Sequence, residues 1–210
     1  MKEKVSLAVV RRLPRYYRYL GELQRQGVDK ISSGGLAEKM GLTASQIRQD
    51  LNCFGGFGQQ GYGYNVEMLR GEIASILGLP RQYRTILIGV GNLGRALVSH
   101  VGFEKRGFSL IGLFDVREDV IGTRIGAYTV SPMSELEDFC LRERPEAAVL
   151  SLPRAAAPAV ADQLVTLGVK GFWNFSNGEI VEGDIPVENV HLGDSLMTLC
   201  YRIQNEENQK

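Results

Sequence analysis

Apolar side chains at Leu13, Tyr16, Tyr17, Leu20 and Leu23 recur at the spacing that lines one face of a helix. Pro14 suits a first helical turn and breaks an interior, so this helix is expected to start there and to end at Gly27. Ser32 or Ser33 then caps a short helix closed by Gly41, and Thr43 with Gln46 forms a T-x-x-Q capping box that opens another, in TASQIRQDLNCF. The glycine- and aromatic-rich stretch GGFGQQGYGY, residues 55–64, favours a tight β-hairpin. From Arg84 the period changes. RTILIGV reads as a strand running into a turn and the helix of GVGNLGRALVSH, and FSLIGLFDV as a second strand. SELEDFCLRER, AAVLSLP, AAAPAVADQLVTLG and VKGFWNF continue as helix, strand, helix, strand, with NVHL as a last strand before the helix DSLMTLCYRIQN.

This pattern predicts an α/β protein of two domains. Residues 1–80 form a helix-turn-helix domain with the glycine-rich hairpin as a wing. Residues 81–210 form a Rossmann-like domain, because strands alternating with helices in one direction imply a parallel sheet.

Charge sharpens the first half. Residues 1–84 carry 13 Lys/Arg against 7 Asp/Glu, whereas the remainder carries 11 against 17. A basic N-terminal module points to an anionic partner. On the second helix of the motif Ser45, Gln46, Arg48 and Gln49 are expected outward, with Ile47 and Leu51 inward, and Arg and Gln can read base edges in a major groove. Arg11, Arg12, Arg15 and Arg18 add helix-borne charge for phosphates. Gly61 and Tyr62 of the wing complete the candidate DNA contacts. Three well-separated cysteines, Cys53, Cys140 and Cys200, fit neither a metal site nor a disulfide framework, and no apolar run reaches membrane-span length; a reducing cytoplasm is the simple expectation.

Gly89, Gly91 and Gly94 give a G-x-G-x-x-G turn between a strand and a helix, the context that makes this motif a dinucleotide signal. With Asn92 and Leu93 at the helix start, the turn offers backbone N–H groups to a pyrophosphate. Asp115 ends the second strand, 21 residues beyond Gly94, where a carboxylate bonds ribose hydroxyls and repels a 2′-phosphate, favouring NAD(H) over NADP(H). Arg117 is expected to be solvated surface. The two histidines, His100 and His191, do not make a dehydrogenase site, and no metal-ligand cluster or substrate domain is present in the pattern. A nucleotide site without catalytic groups, joined to a DNA-binding module, reads as a sensor rather than an enzyme. A small NAD-dependent oxidoreductase is the alternative.

The segments RLPRYYRYL, SSGGLAEKMGLTASQIRQDL, FGGFGQQGYGY, ILIGVGNLGRAL, LFDV, SLPRAAA and WNFS, in that order, resemble the Rex family of redox-sensing transcriptional repressors over nearly the whole chain. The resemblance implies a homodimer on palindromic, A·T-rich double-stranded operator DNA, with the terminal helix exchanged between subunits. NADH would close the dimer and release the operator, and NAD+ would compete without releasing it. It places Gly89, Gly91, Gly94 and Asp115 at the nucleotide, with Asn174 toward its nicotinamide side; His100 is counted among the nucleotide-binding candidates. It places Arg48 in the recognition helix and Arg18 at a contact with the partner. The sequence departs from the family pattern where Gln49 replaces a Lys, Gln59-Gln60 a basic pair in the wing, His100 a Tyr and His191 an Asp. The last two form a cross-subunit switch contact in the family, so weakened NADH control is a second alternative.

Overall fold

A computed structural model describes residues 5–57, 63–180, 183 and 185–207. The chain divides into two compact units, Met1–Arg81 and Gln82–Lys210.

In the first unit, helix α1 spans Leu7–Arg25 and starts at Ser6, whose hydroxyl accepts the Val9 amide, not at Pro14. Pro14 sits inside the helix on its exposed side and leaves the Val10 carbonyl without its i+4 donor. That costs about 3 kcal/mol. Burial of Val9, Leu13, Tyr16, Leu20 and Leu23 on the opposite face, at about 1.5–3 kcal/mol per large side chain, outweighs it. Gly27, at φ 71°, ends the helix as expected: its amide donates to Gln24 and that of Val28 to Leu23, the paired bonds of a Schellman stop. Strand β1 (Lys30–Ile31) leads into α2 (Ser33–Met40), capped by Ser32 and stopped by Gly41 in the left-handed conformation. Helix α3 spans Ala44–Asn52. Strand β2 (Tyr64–Asn65) and α4 (Val66–Ile76) follow, α4 packing along α1 in one core with α2 and α3.

Tyr64 lies opposite Ile31 in an antiparallel β1–β2 ladder, so the strand leaving the glycine-rich stretch pairs with the segment before α2. Gly63 permits this: at φ 73°, a Cβ there would stand 2.6 Å from the Ile31 carbonyl oxygen. The expected hairpin tip, including Gln59, Gln60, Gly61 and Tyr62, lies outside the described residues.

The second unit is built on a seven-stranded sheet in the order β5-β6-β4-β3-β7-β8-β9. The strands are β3 (Tyr83–Ile88), β4 (Phe108–Asp115), β5 (Arg124–Ile125), β6 (Tyr128–Pro132), β7 (Ala147–Leu150), β8 (Phe172–Asn174) and β9 (Val187–Asn189). All neighbours are parallel except β5 and β6. Counted from β3, the parallel strands run third, second, first, fourth, fifth, sixth, the doubly wound order of dinucleotide-binding folds. Helices α5 (Asn92–His100), α6 (Leu136–Glu143) and α7 (Ala157–Thr166) cover its faces, and the consecutive burial of Thr85 to Ile88 marks a strand covered on both sides. The β5–β6 hairpin escapes the sequence pattern because it is short, mixes Thr, Ser and Arg with apolar residues, and turns at Gly126 and Ala127 between paired Ile125 and Tyr128. The last strand ends at Asn189, earlier than NVHL implied. Helix α8 (Leu192–Glu207) closes the chain with every side chain from Leu192 to Gln204 exposed.

Because a Cβ on Gly27 would meet no atom within 4 Å, Gly27→Ala tests backbone conformation alone. The expected cost is about 1 kcal/mol in urea unfolding of the helical signal; an unchanged midpoint would show that Gly27 does not set the stop.

Candidate functional site

The turn after β3 sits where the strand order reverses, at the carboxyl ends of β3 and β7. Gly89 has φ 91°, and a Cβ there would collide with the Ser151 carbonyl of the next strand's exit. Its amide donates to Phe114 O at 2.8 Å. A Cβ on buried Gly94 would collide with the Gly89 carbonyl, so two of the three glycines are required by the protein's own packing. Gly91 is different: a Cβ there would meet nothing within 4 Å, so its backbone faces open space. It is the N-cap of α5, and no side chain caps that helix. Exposed Asn92 and half-buried Leu93 follow it in the first turn. Free amides at a helix start suit an anion. The donor set therefore fits a pyrophosphate.

Asp115, 6% exposed at the end of β4, holds this turn. Its Oδ2 accepts the Val90 amide at 2.6 Å and its Oδ1 the Arg117 amide at 2.9 Å. Burial pushes the carboxyl's pKa up, but the Arg117 and Val90 amides and the Arg117 charge outweigh it and hold it below the ordinary carboxylate value. Arg117 is half exposed, but it is not merely solvated surface. Its Nε lies 3.5 Å from Asp115 Oδ1 and another guanidinium nitrogen donates to Val90 O at 3.4 Å.

Asn174 plays a different part from the one expected. It is fully buried, and both its amide protons go to the protein: to Gly178 O at 2.6 Å and Asn189 Oδ1 at 2.7 Å. Its oxygen accepts the Ser176 amide. Asn189 in turn exchanges hydrogen bonds with the Ile180 backbone. Asn174 is thus a positioning residue for the 176–180 loop. Asn189 and buried Ser176, which the sequence pattern did not single out, share that work; the equivalence of Asn174 and Asn189 on paired strands becomes visible only with the register. The loop lines a cleft of about 600 Å³ with Arg154, Ala157, Pro158 and half-buried His191. His100 is exposed at the last turn of α5, and neither histidine lines the glycine turn.

In the first unit, α3 stands on α2 with Ile47 and Leu51 buried and Ser45, Arg48 and Gln49 exposed. Arg48 is steadied by the Ser33 hydroxyl at 3.0 Å. Arg11 and Arg18 lie on the exposed surface of α1. Two expected DNA contacts are engaged elsewhere. Arg12 grips Asp50 bidentately, at 2.6 and 2.7 Å. Gln46 is half-buried and donates to Asp50 Oδ1 at 2.8 Å instead of closing the capping box, of which only the Thr43-to-Gln46 half forms. Tyr16 adds a hydroxyl bond at 2.8 Å. Asp50, 1% exposed, thereby ties α1 to α3. Arg15 caps the end of α2 through Met40 O. Among the described residues, no group of three His, Cys, Asp or Glu is placed to hold a metal, and no helix is long and apolar enough to cross a membrane.

A helix-turn-helix module joined to a doubly wound sheet with a phosphate-type glycine turn defines the class of this protein. Comparison with known proteins narrows it. A family model described as the N-terminus of putative DNA-binding proteins matches residues 4–52, and one described as a CoA binding domain matches residues 80–178. A redox-sensing transcriptional repressor Rex of Thermoanaerobacter pseudethanolicus is 53% identical over 207 residues, covering 98% of this chain and 92% of the relative. One from Clostridium perfringens is 48% identical and covers 98% of both. A solved structure of RSP with β-NAD+ and operator DNA superposes with a TM-score of 0.89 at 52% identity, covering 97% of this chain and 94% of that one. RSP with β-NADH also gives 0.89, at 48% identity over 97% and 96% of the two chains. The chain belongs to the Rex family of redox-sensing transcriptional repressors.

Asp50 generates a stability prediction. Burial raises its pKa, but the hydrogen bonds from Arg12, Tyr16 and Gln46 outweigh this and leave it below the ordinary value. A depressed folded pKa contributes stability that is present above the unfolded value of about 3.9 and is lost as pH falls through the folded value. Asp50→Ala is expected to cost about 3 kcal/mol near neutral pH, since it strands a cation and a buried hydroxyl. Asp50→Asn is expected to shed part of the wild-type loss of stability below about pH 4. Urea unfolding from pH 7 to 2 checks both; a cost under about 1 kcal/mol would remove the network from the account.

Proposed function

We propose that this protein is a cytoplasmic, homodimeric repressor that binds operator DNA through α3 and senses NADH against NAD+ at the glycine turn, without being an enzyme. The observation that carries the reading is the glycine turn itself. Gly91 is not required by internal packing, and the uncapped α5 start beside it suits a pyrophosphate, in a chain whose relatives are named redox-sensing repressors along nearly their full length. The amides at Gly91, Asn92 and Leu93 would hold the pyrophosphate, and Asp115 would position the turn and meet the ribose. NADH acts here as a ligand whose binding energy shifts the protein between two arrangements. The two solved RSP complexes, one with NAD+ and operator DNA and one with NADH, support this assignment of roles to the two nucleotides.

The DNA surface is read from α3. Ser45, Arg48 and Gln49 point outward and are the residues assigned to base edges. Arg11 is assigned to phosphate, while Arg12 and Gln46 support α3 through Asp50. The uncovered apolar side chains of α8, including Leu192, Leu196, Met197, Leu199 and Ile203, support exchange of this helix with a second copy. His100, at the exposed end of α5, and His191, at the start of α8, are then placed on elements that such an exchange can bring together, with Arg18 as the partner contact on α1.

Two measurements test this reading. A gel shift on a palindromic A·T-rich operator is expected to show a complex that NADH dissociates and NAD+ does not; DNA that stays bound at saturating NADH would instead favour a repressor with weakened ligand control. Because Gln pairs with adenine where Lys prefers guanine, selection on a randomised half-site is expected to enrich A·T opposite Gln49, with Gln49→Lys shifting that position toward G·C. Arg48→Ala is expected to weaken specific binding by about 1–3 kcal/mol. An unchanged site preference in Gln49→Lys would take Gln49 off the base-reading surface.

A further inference from the structure

Arg48, the side chain assigned to a base edge, is already held in the DNA-free protein. Its Nη1 donates to the Ser33 hydroxyl at 3.0 Å, reaching from α3 to the first residue of α2. Ser33 has no capping duty: the N-cap of α2 is Ser32, whose hydroxyl accepts the Gly35 amide at 3.0 Å. The backbone that carries Ser33 is fixed from the other side. A Cβ on Gly63 would stand 2.6 Å from the Ile31 carbonyl oxygen and 3.3 Å from Ser32 Cα, so the strand leaving the glycine-rich stretch packs directly against this corner. Burial pushes the pKa of the Tyr64 hydroxyl on that strand up and the Arg48 charge pulls it back, so the guanidinium lies within electrostatic reach of β2 as well. Arg48 is exposed, yet it sits where α2, α3 and β2 meet. The chemistry of the pair suits a base-reading arginine. A guanidinium has donors only, so the hydroxyl oxygen is the acceptor, and one bond at Nη1 leaves the Nε–Nη2 edge for the O6 and N7 of a guanine. A long side chain loses rotamer freedom when it docks, and one already held at its tip loses less. The neutral hydroxyl orients the cation without cancelling the charge that draws it to DNA. Arg12 shows the contrasting case: gripped bidentately by Asp50, its charge is balanced inside the protein.

We propose that Ser33 is a positioning residue for operator recognition: its hydroxyl presets the Arg48 guanidinium for a guanine edge. The start of α2 thereby contributes to sequence specificity through α3 without touching a base itself. The inference rests on the DNA-binding reading above and adds to it a residue outside the recognition helix.

Fluorescence anisotropy of the full-length protein tests it, on a palindromic duplex recovered by half-site selection and on a duplex of random sequence. Ser33→Ala is expected to weaken binding to the selected site about three- to tenfold, the size of the ordering cost of one long side chain. Random-sequence binding is expected to move less than about twofold, with an unchanged salt slope, because no phosphate contact is lost. Ser33→Thr keeps the hydroxyl and is expected to keep most of the wild-type affinity. In an Arg48→Ala background, Ser33→Ala is expected to cost less than about twofold, since the side chain it positions is gone. Half-site selection with Ser33→Ala is expected to relax the base pair that Arg48→Ala also relaxes, and no other. An undiminished cost in the Arg48→Ala background would overturn the inference and make Ser33 a DNA contact or a helix residue in its own right. So would equal weakening on both duplexes, or an unchanged affinity of Ser33→Ala for the selected site. A wild type that selects no site at all would instead overturn the DNA-binding reading, and this inference would fall with it.

Discussion

The hydrogen bond from the Val90 amide to Asp115 joins the glycine turn to the end of the neighbouring strand, and the nucleotide corner is arranged around it. Gly89 admits the Ser151 carbonyl and Gly94 admits the Gly89 carbonyl, so the turn is compressed against its own sheet. Those contacts leave the turn little freedom, and the carboxylate fixes what remains. A buried carboxylate is costly unless its oxygens find donors. Here two backbone amides supply them, one from the turn and one from the loop after β4, and Arg117 adds a balancing charge. Loss of the carboxylate would therefore affect the position of the turn as well as any direct contact to a ribose.

The first unit uses the same device for a different end. Asp50 is the internal counterpart of Asp115: a buried acid whose partners come from two elements. Arg12 and Tyr16 lie one turn apart on α1, and Gln46 lies one turn before Asp50 on α3, so three side chains close on one carboxylate. Leu13 and Leu51 lie in the same core, so the carboxylate ties the two helices together across packed apolar side chains.

Much of this was legible in the chain. The caps at Ser32 and Thr43, the stops at Gly27 and Gly41, and the β-strand and turn that precede α5 all act locally, so their spacing predicts them. What failed to show was non-local. Nothing near Pro14 announces that a buried stripe reaching back to Val9 will carry the helix through it. Arg12 and Gln46 look like free polar side chains on wet faces until the fold sets Asp50 between them. Asn174 reads as a ligand residue until β9 brings Asn189 alongside and occupies its donors. The β5–β6 hairpin depends on pairing with β4 rather than on its own alternation. In each case the deciding partner is distant in sequence, and periodicity records only neighbours.

The bare apolar stripe of α8 has a consequence for the life of the polypeptide. Leu196, Met197, Leu199, Tyr201 and Ile203 are each about half exposed or more, which in a lone subunit is an invitation to aggregation and proteolysis. Were a second copy the cover, as proposed, protection would be second order in subunit concentration, the abundance of intact protein would rise faster than its rate of synthesis, and lowered expression would clear it more sharply than dilution alone.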